Sequence, residues 1–397
     1  MLHVIWYAVQ VLIIAIVHSN KIEVNNMKPY QSTEYLKIYF LLVLLFIFSF
    51  SIFPEIPGSD GKESDENISR GWLPFSLSLI GFKYLQIAPP DWNVYGVRIN
   101  AIYGKNIDVY GLDVSPFVNV AENAGGIQIS GFGANWVKKS FYGLQLNLMF
   151  NVVEQKMWGF QIGGWNQVKK TISSKLVSET FDSKTYEVIS IPGYINGLQL
   201  GFILNEGGNS NGVQIGIGGN DIGGTLDRKI PGNVNGIQLG GLFNLAEGEL
   251  TGIQFPSFVG NGAGKLNGIQ IGIIMNTIGY RGGGIGMVRG RTLRLDDLPY
   301  TKFQPTHDMN GFQFALFANL VDDNMKGIEI STITNYVDEK ATGFQFSLIN
   351  ISEKVSGIQI GLVNYCRRLK GLQIGLLNFN WEGTLPVFPL INFGWSF

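Results

Sequence analysis

The stretch Gly357–Asn380, GIQIGLVNYCRRLKGLQIGLLNFN, holds two copies of one unit. Each copy opens with Gly, apolar, Gln, apolar and a small residue. It then runs through two or three mostly apolar or small residues to an Asn. The same unit opens at Gly111, Gly126, Gly143, Gly159, Gly197, Gly212, Gly236, Gly252, Gly268, Gly311, Gly327, Gly343, Gly357 and Gly371. An Asn closes each copy, from Asn119 to Asn378. The third position is Gln128, Gln145, Gln161, Gln199, Gln214, Gln238, Gln254, Gln270, Gln313, Gln345, Gln359 and Gln373, with Asp113 and Glu329 as the exceptions.

The residues one and three after the Gly are apolar in every copy, and those two and four after it are polar or small. Strict alternation is the signature of a β-strand. A helix would need apolar residues at spacings of three and four. The Asn falls at even or odd offsets in different copies. It therefore reads as a strand end, where Asn accepts left-handed backbone and bonds its own chain. The Gly reads as the corner where turn meets strand.

The fold class is all-β, and two architectures fit. In one, each unit is a strand of an antiparallel repeat meander closing into a barrel of about 18 short strands. In the other, each unit is a coil of a β-solenoid with equivalent residues stacked in ladders. The barrel leads. Trp72–Phe82, Tyr95–Tyr103 and Pro386–Phe397 read as further strands that bring the count to an even number, and the apolar alternate face suits lipid. Against it stand Pro116 and Pro256 inside copies, and Phe117, Met149 and Leu377 on the would-be lumen face. In the solenoid the apolar face becomes a dry core.

Composition narrows function. The chain has 397 residues, 52 of them Gly, with 15% charged, 45% hydrophobic and a net charge of −1. Near-zero charge removes the footprint of a nucleic-acid binder. A single Cys, Cys366, rules out an internal disulfide or a multi-cysteine zinc site, and reads as a free surface thiol in a turn. Of three His, only His307 lies outside the N-terminal segment, beside Asp308 in a long insertion, where it reads as an exposed loop residue. Glycine richness makes no phosphate loop: Gly264–Lys265 is followed by Leu266 instead of Ser or Thr, and Gly282–Gly286 does not complete G-x-G-x-x-G. No catalytic residue, metal or cofactor is expected.

The N-terminus reads as targeting sequence. Val4–Val17 and Ile38–Phe53 are apolar, and the second follows Lys28 and Lys37 as in a secretory signal, with Met27 as the expected true start. Two short anchors in tandem are the alternative. The domain plan is a targeting region over 1–58, a polar linker over 59–71 and one β-repeat domain over 72–397.

The Gly-x-Gln-x-Gly-x-x-Asn units of Gly357–Asn380 resemble those of the leptospiral-type bacterial surface-repeat proteins. Asn93–Asn119, with its VYG-x-R-x-N and VYGLDV segments, and the C-terminal LPVFPLINFGWSF are similar to the same family. The resemblance implies an exported, surface-exposed or envelope protein of uncharacterised role, and carries no catalytic or binding residue with it.

The Gln stripe reads as structural, its side-chain amides bonding across neighbouring strands. A polar channel is the alternative. Asp113 and Glu329 are the only acids on the stripe, and an interior position would require partners such as Arg98. Three insertions, Gln167–Asn196, Asp221–Asn235 and Thr277–Asn310, interrupt the repeat; the third carries Arg281, Arg289, Arg291 and Arg294. Exposed loops on rigid scaffolds carry function. The expected function is thus a non-enzymatic outer-membrane or surface-exposed protein whose scaffold displays loops. A narrow pore lined by the Gln/Gly face, and a soluble exported solenoid adhesin or structural protein, are the alternatives. Membrane lipid, and an extracellular ligand or host partner at the insertions, are the expected partners.

Overall fold

A computed structural model describes residues 71–395, apart from 82–84, 170, 181–182, 192, 224–231, 256, 280–306 and 385; for 171–191 only backbone is described. The chain divides into two compact units, Met1–Ile68 and Ser69–Phe397. The first, with the expected export segment and Met27, lies outside the described residues. So do Pro256 and the arginines of the third insertion.

The second unit is a parallel β-solenoid of about fourteen turns. The strand Tyr194–Gly207 shows the rule. It pairs in parallel with Lys156–Val168 on one side and with Asn209–Gly216 and Gly219–Ile222 on the other. Its partners are its own equivalents one turn away: Gly197 with Gly212, Gln199 with Gln214, Asn205 with Asn220. The antiparallel meander and the barrel of about 18 strands are therefore overturned. A meander would set each Gln opposite a different residue type. Parallel stacking in register sets like on like, which lets identical side chains form ladders. The last pair of this sheet departs from the rule: Val387–Gly394 folds back antiparallel on Val363–Asn380 and covers the final turn. An antiparallel cap stops the stack from extending by addition of another parallel turn.

Each turn has two arms and two corners. The glutamine arm carries the repeat Gly and Gln, and the asparagine arm carries the Asn. Fifteen repeat glycines, Gly96 to Gly371, have φ between +96° and +154°. They lie inside the strands, not at the corner. A Cβ built on Gly212 would stand 2.0 Å from the carbonyl oxygen of Gly197 one turn below, and the whole stack repeats this approach. Positive φ and a backbone ceiling together require Gly. The first of the fifteen is Gly96, in register with Gly111, so Asn93–Asn100 is a fifteenth copy with Arg98 in the Gln position.

The inside of the solenoid reverses the expected sidedness. The Gln and Asn side chains point in and are buried. The apolar residues one and three after the Gly point out: Ile127, Ile237, Phe314 and Ile358 are all exposed. The dry apolar face expected of a solenoid is thus its outer wall. The apolar core comes from two other positions. One lies two residues before the Gly (Ile195, Leu250, Leu266, Met309), the other two after the Asn (Val137, Val153, Ile222, Ile278). Burying each such side chain stabilises by about 1.5–3 kcal/mol.

The Asn begins the second arm and does not end a strand. A corner of one to three residues separates it from the first arm, and an odd or even corner resets the inside–outside parity. Phe117 and Leu377, read as lumen-facing, are exposed residues at this corner, and Pro116 sits there too.

Candidate functional site

The structure places all twelve Gln of the stripe in one buried ladder. Between neighbouring Gln, Nε2 donates to the Oε1 of the previous turn: Gln145 to Gln128 at 2.8 Å, Gln199 to Gln161 at 2.7 Å, Gln373 to Gln359 at 2.8 Å. At the N-terminal end Gln128 donates to Asp113 Oδ2 at 2.9 Å. A carboxylate only accepts, so Asp113 fixes the direction of the ladder above it. Arg98 holds Asp113 in a fork, with Nε on Oδ1 at 2.8 Å and Nη2 on Oδ2 at 2.6 Å, both side chains almost fully buried. Nη1 of Arg98 donates to Asn106 Oδ1 and to the carbonyl of Val120. Asn100 Nδ2 also donates to Asp113 Oδ1 at 3.2 Å, so the buried pair is hydrogen-bonded on both of its members.

A second ladder of Asn runs the opposite way. Asn205 donates to Asn220 Oδ1 at 2.8 Å, Asn319 to Asn335 at 3.0 Å, Asn364 to Asn378 at 2.8 Å, each toward the C-terminus. The other Asn N–H bonds a backbone carbonyl of the next turn, as Asn205 does with Ile215 and Asn364 with Ile374. These paired amides offset the desolvation that burial costs them. Sequence reasoning missed this ladder because the variable corner hid its parity. Among the described residues the Gln face is a packed, self-bonded interior and not an open polar wall.

Glu329 sits in the same ladder without a cation. Gln345 Nε2 donates to its Oε2 at 2.8 Å, and Asn335 Nδ2 reaches its backbone carbonyl. Glu329 Oε1 and Oε1 of Gln313, its neighbour across the ladder, are both buried acceptors with no donor. A proton on Oε1 of Glu329 supplies the donor that Nε2 supplies in every Gln. Burial pushes this carboxyl up to about 8, against a smaller opposite pull from the Gln345 hydrogen bond. At neutral pH Glu329 is thus a carboxylic acid imitating Gln.

Two other readings change. Cys366 is not a surface thiol. It is fully buried two residues after Asn364, Gln373 Nε2 lies 3.4 Å from its Sγ, and burial pushes the thiol up to about 12. Such a thiol is inert. His307 is partly buried where the third insertion rejoins the solenoid, with Nδ1 3.7 Å from Asp323. Among the described residues no group of three or more His, Cys, Asp or Glu could hold a metal, and no helix is long and apolar enough to cross a membrane.

The outer surface divides by corner. From each repeat Gly to its Asn (Gly104 in the first turn), no turn carries Lys, Arg, Asp or Glu except at the buried third position. The corner inside this span is apolar: Ile203, Ile217, Leu242, Leu316, Leu362 and Leu376 are about half exposed or more. The opposite corner, between the Asn and the next Gly, carries the charges, as in Glu353–Lys354 and Arg367–Arg368. All three insertions leave from the charged corner. The chain departs after Val168, Ile222 and Ile278, each the buried residue two after an Asn, and re-enters just before Ile195, Val234 and Met309. The first insertion contains an antiparallel hairpin, Thr171–Thr180 with Ser183–Ile191. No insertion interrupts the apolar corner.

No protein-family model matches the chain, and no curated protein or solved structure is significantly similar to it.

Proposed function

We propose that the protein is a non-enzymatic, exported β-solenoid whose stiff stack presents its three insertions to the outside of the cell. The observation that carries this reading is that all three leave from one corner of one rod. Two amide ladders and a glycine stack hold that rod in a single register, so the insertions keep fixed spacings along one edge. Loops on a rigid support suit recognition. The resemblance to surface-repeat proteins supports the same location, and an extracellular ligand or host partner is the expected binding class.

An epitope tag inserted at 285–295 tests it. Staining of intact cells is the expected outcome, with a second tag within 224–231 giving the same result. Staining that needs permeabilised cells would place the insertions inside and end the reading.

A further inference from the structure

We propose that the apolar corner of the solenoid seats on a lipid surface, laying the rod lengthwise along a membrane with its charged corner and insertions facing away. The outer face offers three things that lipid asks for. First, it is uncharged without interruption and mostly apolar, Thr332 being an exposed polar residue in it. Fifteen copies stacked at about 4.8 Å make a band about 70 Å long, and no charged side chain enters it between Gly and Asn. Contiguous exposed apolar patches on monomers are normally limited to a few hundred Å², and larger ones mark interaction sites. Second, its backbone is self-sufficient. Strand N–H and C=O groups bond along the rod axis to the turns on either side. The corner does the same: Ile217 N donates to Gly201 O, Leu242 N to Gly218 O, Leu316 N to Ile273 O and Leu348 N to Thr332 O, all at 2.9–3.0 Å. The charged corner is paired in the same way, as Lys138 N to Ala121 O and Glu154 N to Val137 O, so the pairing is common to both corners; it meets what a backbone entering hydrocarbon requires. Third, most polar side chains beneath it are already paired in the Gln and Asn ladders, which flank this corner from inside while the apolar core lies beneath the charged one; Oε1 of Gln313, Oε1 of Glu329 and the Ser331 hydroxyl are among the exceptions.

Lipid fits better than a second copy of the chain. A band of near-equivalent Ile, Leu, Val and Phe repeated every turn defines no unique register, so two rods could slide past one another by whole turns. A fluid surface needs no register. The corner is also convex, which limits contact with another rigid rod and suits immersion among acyl chains. The inference goes beyond the display reading, which concerns only the opposite corner, and either can fail alone.

Flotation of the purified full chain with phosphatidylcholine vesicles tests it. The protein is expected to rise with the vesicles and to stay with them at about 1 M salt, since screening acts on charges the band lacks. Combined Ile203→Asp, Ile217→Asp, Leu242→Asp and Leu316→Asp is expected to lower the vesicle-bound to free ratio at least about tenfold. These sites are exposed, so the far-ultraviolet circular dichroism of a β-rod should persist. The matched set Gln155→Asp, Thr251→Asp, Thr342→Asp and Ser356→Asp, on the polar side, should leave flotation unchanged. A dye on Ile217→Cys should shift to the blue on adding vesicles, and one on Ser356→Cys should not. Wild-type chain that stays at the bottom of the gradient, equal loss from both Asp sets, or a dimer in light scattering that the first set dissociates would overturn the proposal; the last would assign the band to a second copy.

Discussion

Asp113 and Glu329 occupy the same position of the same repeat and meet opposite fates. Both replace a Gln, both are buried, and both accept a hydrogen bond from the Gln of the next turn. Asp113 faces Arg98 on its other side. Glu329 faces another Gln, whose unpaired Oε1 demands a donor. One acid starts the ladder as half of an ion pair; the other continues it as a neutral group. The difference teaches that the ladder sets protonation by its need for donors, and that the chemistry of an acid here is decided by the residue one turn below.

The harshest way to break this comparison is to remove the charge from Asp113 alone. Asp113→Asn keeps the shape but leaves the Arg98 guanidinium buried without a counter-ion, and is expected to cost about 3–5 kcal/mol. Urea unfolding with an unchanged slope would read it. Arg98→Gln with Asp113→Gln would extend the amide ladder by two turns and should recover most of that loss. If the double variant is as unstable as the single one, the ion pair has a role that ladder continuity does not explain.

Glu329 gives the next largest effect, and its sign follows from linkage. The folded state holds the proton up to about pH 8, while the unfolded chain releases it near the ordinary value of 4.5. Unfolding between those limits therefore releases a proton, and stability falls as pH rises from 4.5 to about 8, by about 1.4 kcal/mol per unit for one full proton. Glu329→Gln has no proton to lose. It should unfold like the wild type near pH 4, yet be more stable by about 3 kcal/mol at pH 7. A variant with the same pH profile as the wild type would show that Glu329 ionises in place. Asp113→Asn makes the contrast sharper, since its unpaired cation lowers stability at neutral pH, where Glu329→Gln raises it.

The sequence carried the strand alternation, the repeat and the Gln stripe in plain view. Sidedness was not legible from hydropathy, because the apolar residues on either side of each Gln, such as Ile127 and Ile129 around Gln128, obey alternation whichever way they face. The rule that apolar residues lie inside fails when amides in register satisfy each other. A clue was present: Gln recurs nearly unchanged, whereas its apolar neighbours vary among Leu, Ile, Val and Phe. A ladder requires identity, and an outer wall only apolarity. Arg98 was legible as a partner for a buried acid but not as a member of the stripe, because it breaks the motif at the Gln position, although VYG at 94–96 repeats at 109–111. Cys366 looked exposed because charged Arg367 and Arg368 follow it, and only the corner parity places it inside.

Cys366 provides the gentlest test of the same interior, at the far end of the ladder from Asp113. Its thiol is buried and pushed up to about 12, so thiolate is scarce at neutral pH and reagent has no path to the sulfur. A disulfide reagent near pH 7.5 should modify it at least about a thousandfold more slowly in the folded chain than in denaturant. Cys366→Val fills a similar volume and should change stability by less than about 1.5 kcal/mol. The Gln373 amide should tolerate it, because its Nε2 also reaches Gln359 and the carbonyl of Phe379. Rapid labelling of the folded chain would mean that the last turns open under native conditions. The antiparallel cap Val387–Gly394 would then be a poor seal, and the interior would be firm at its Arg98–Asp113 end alone.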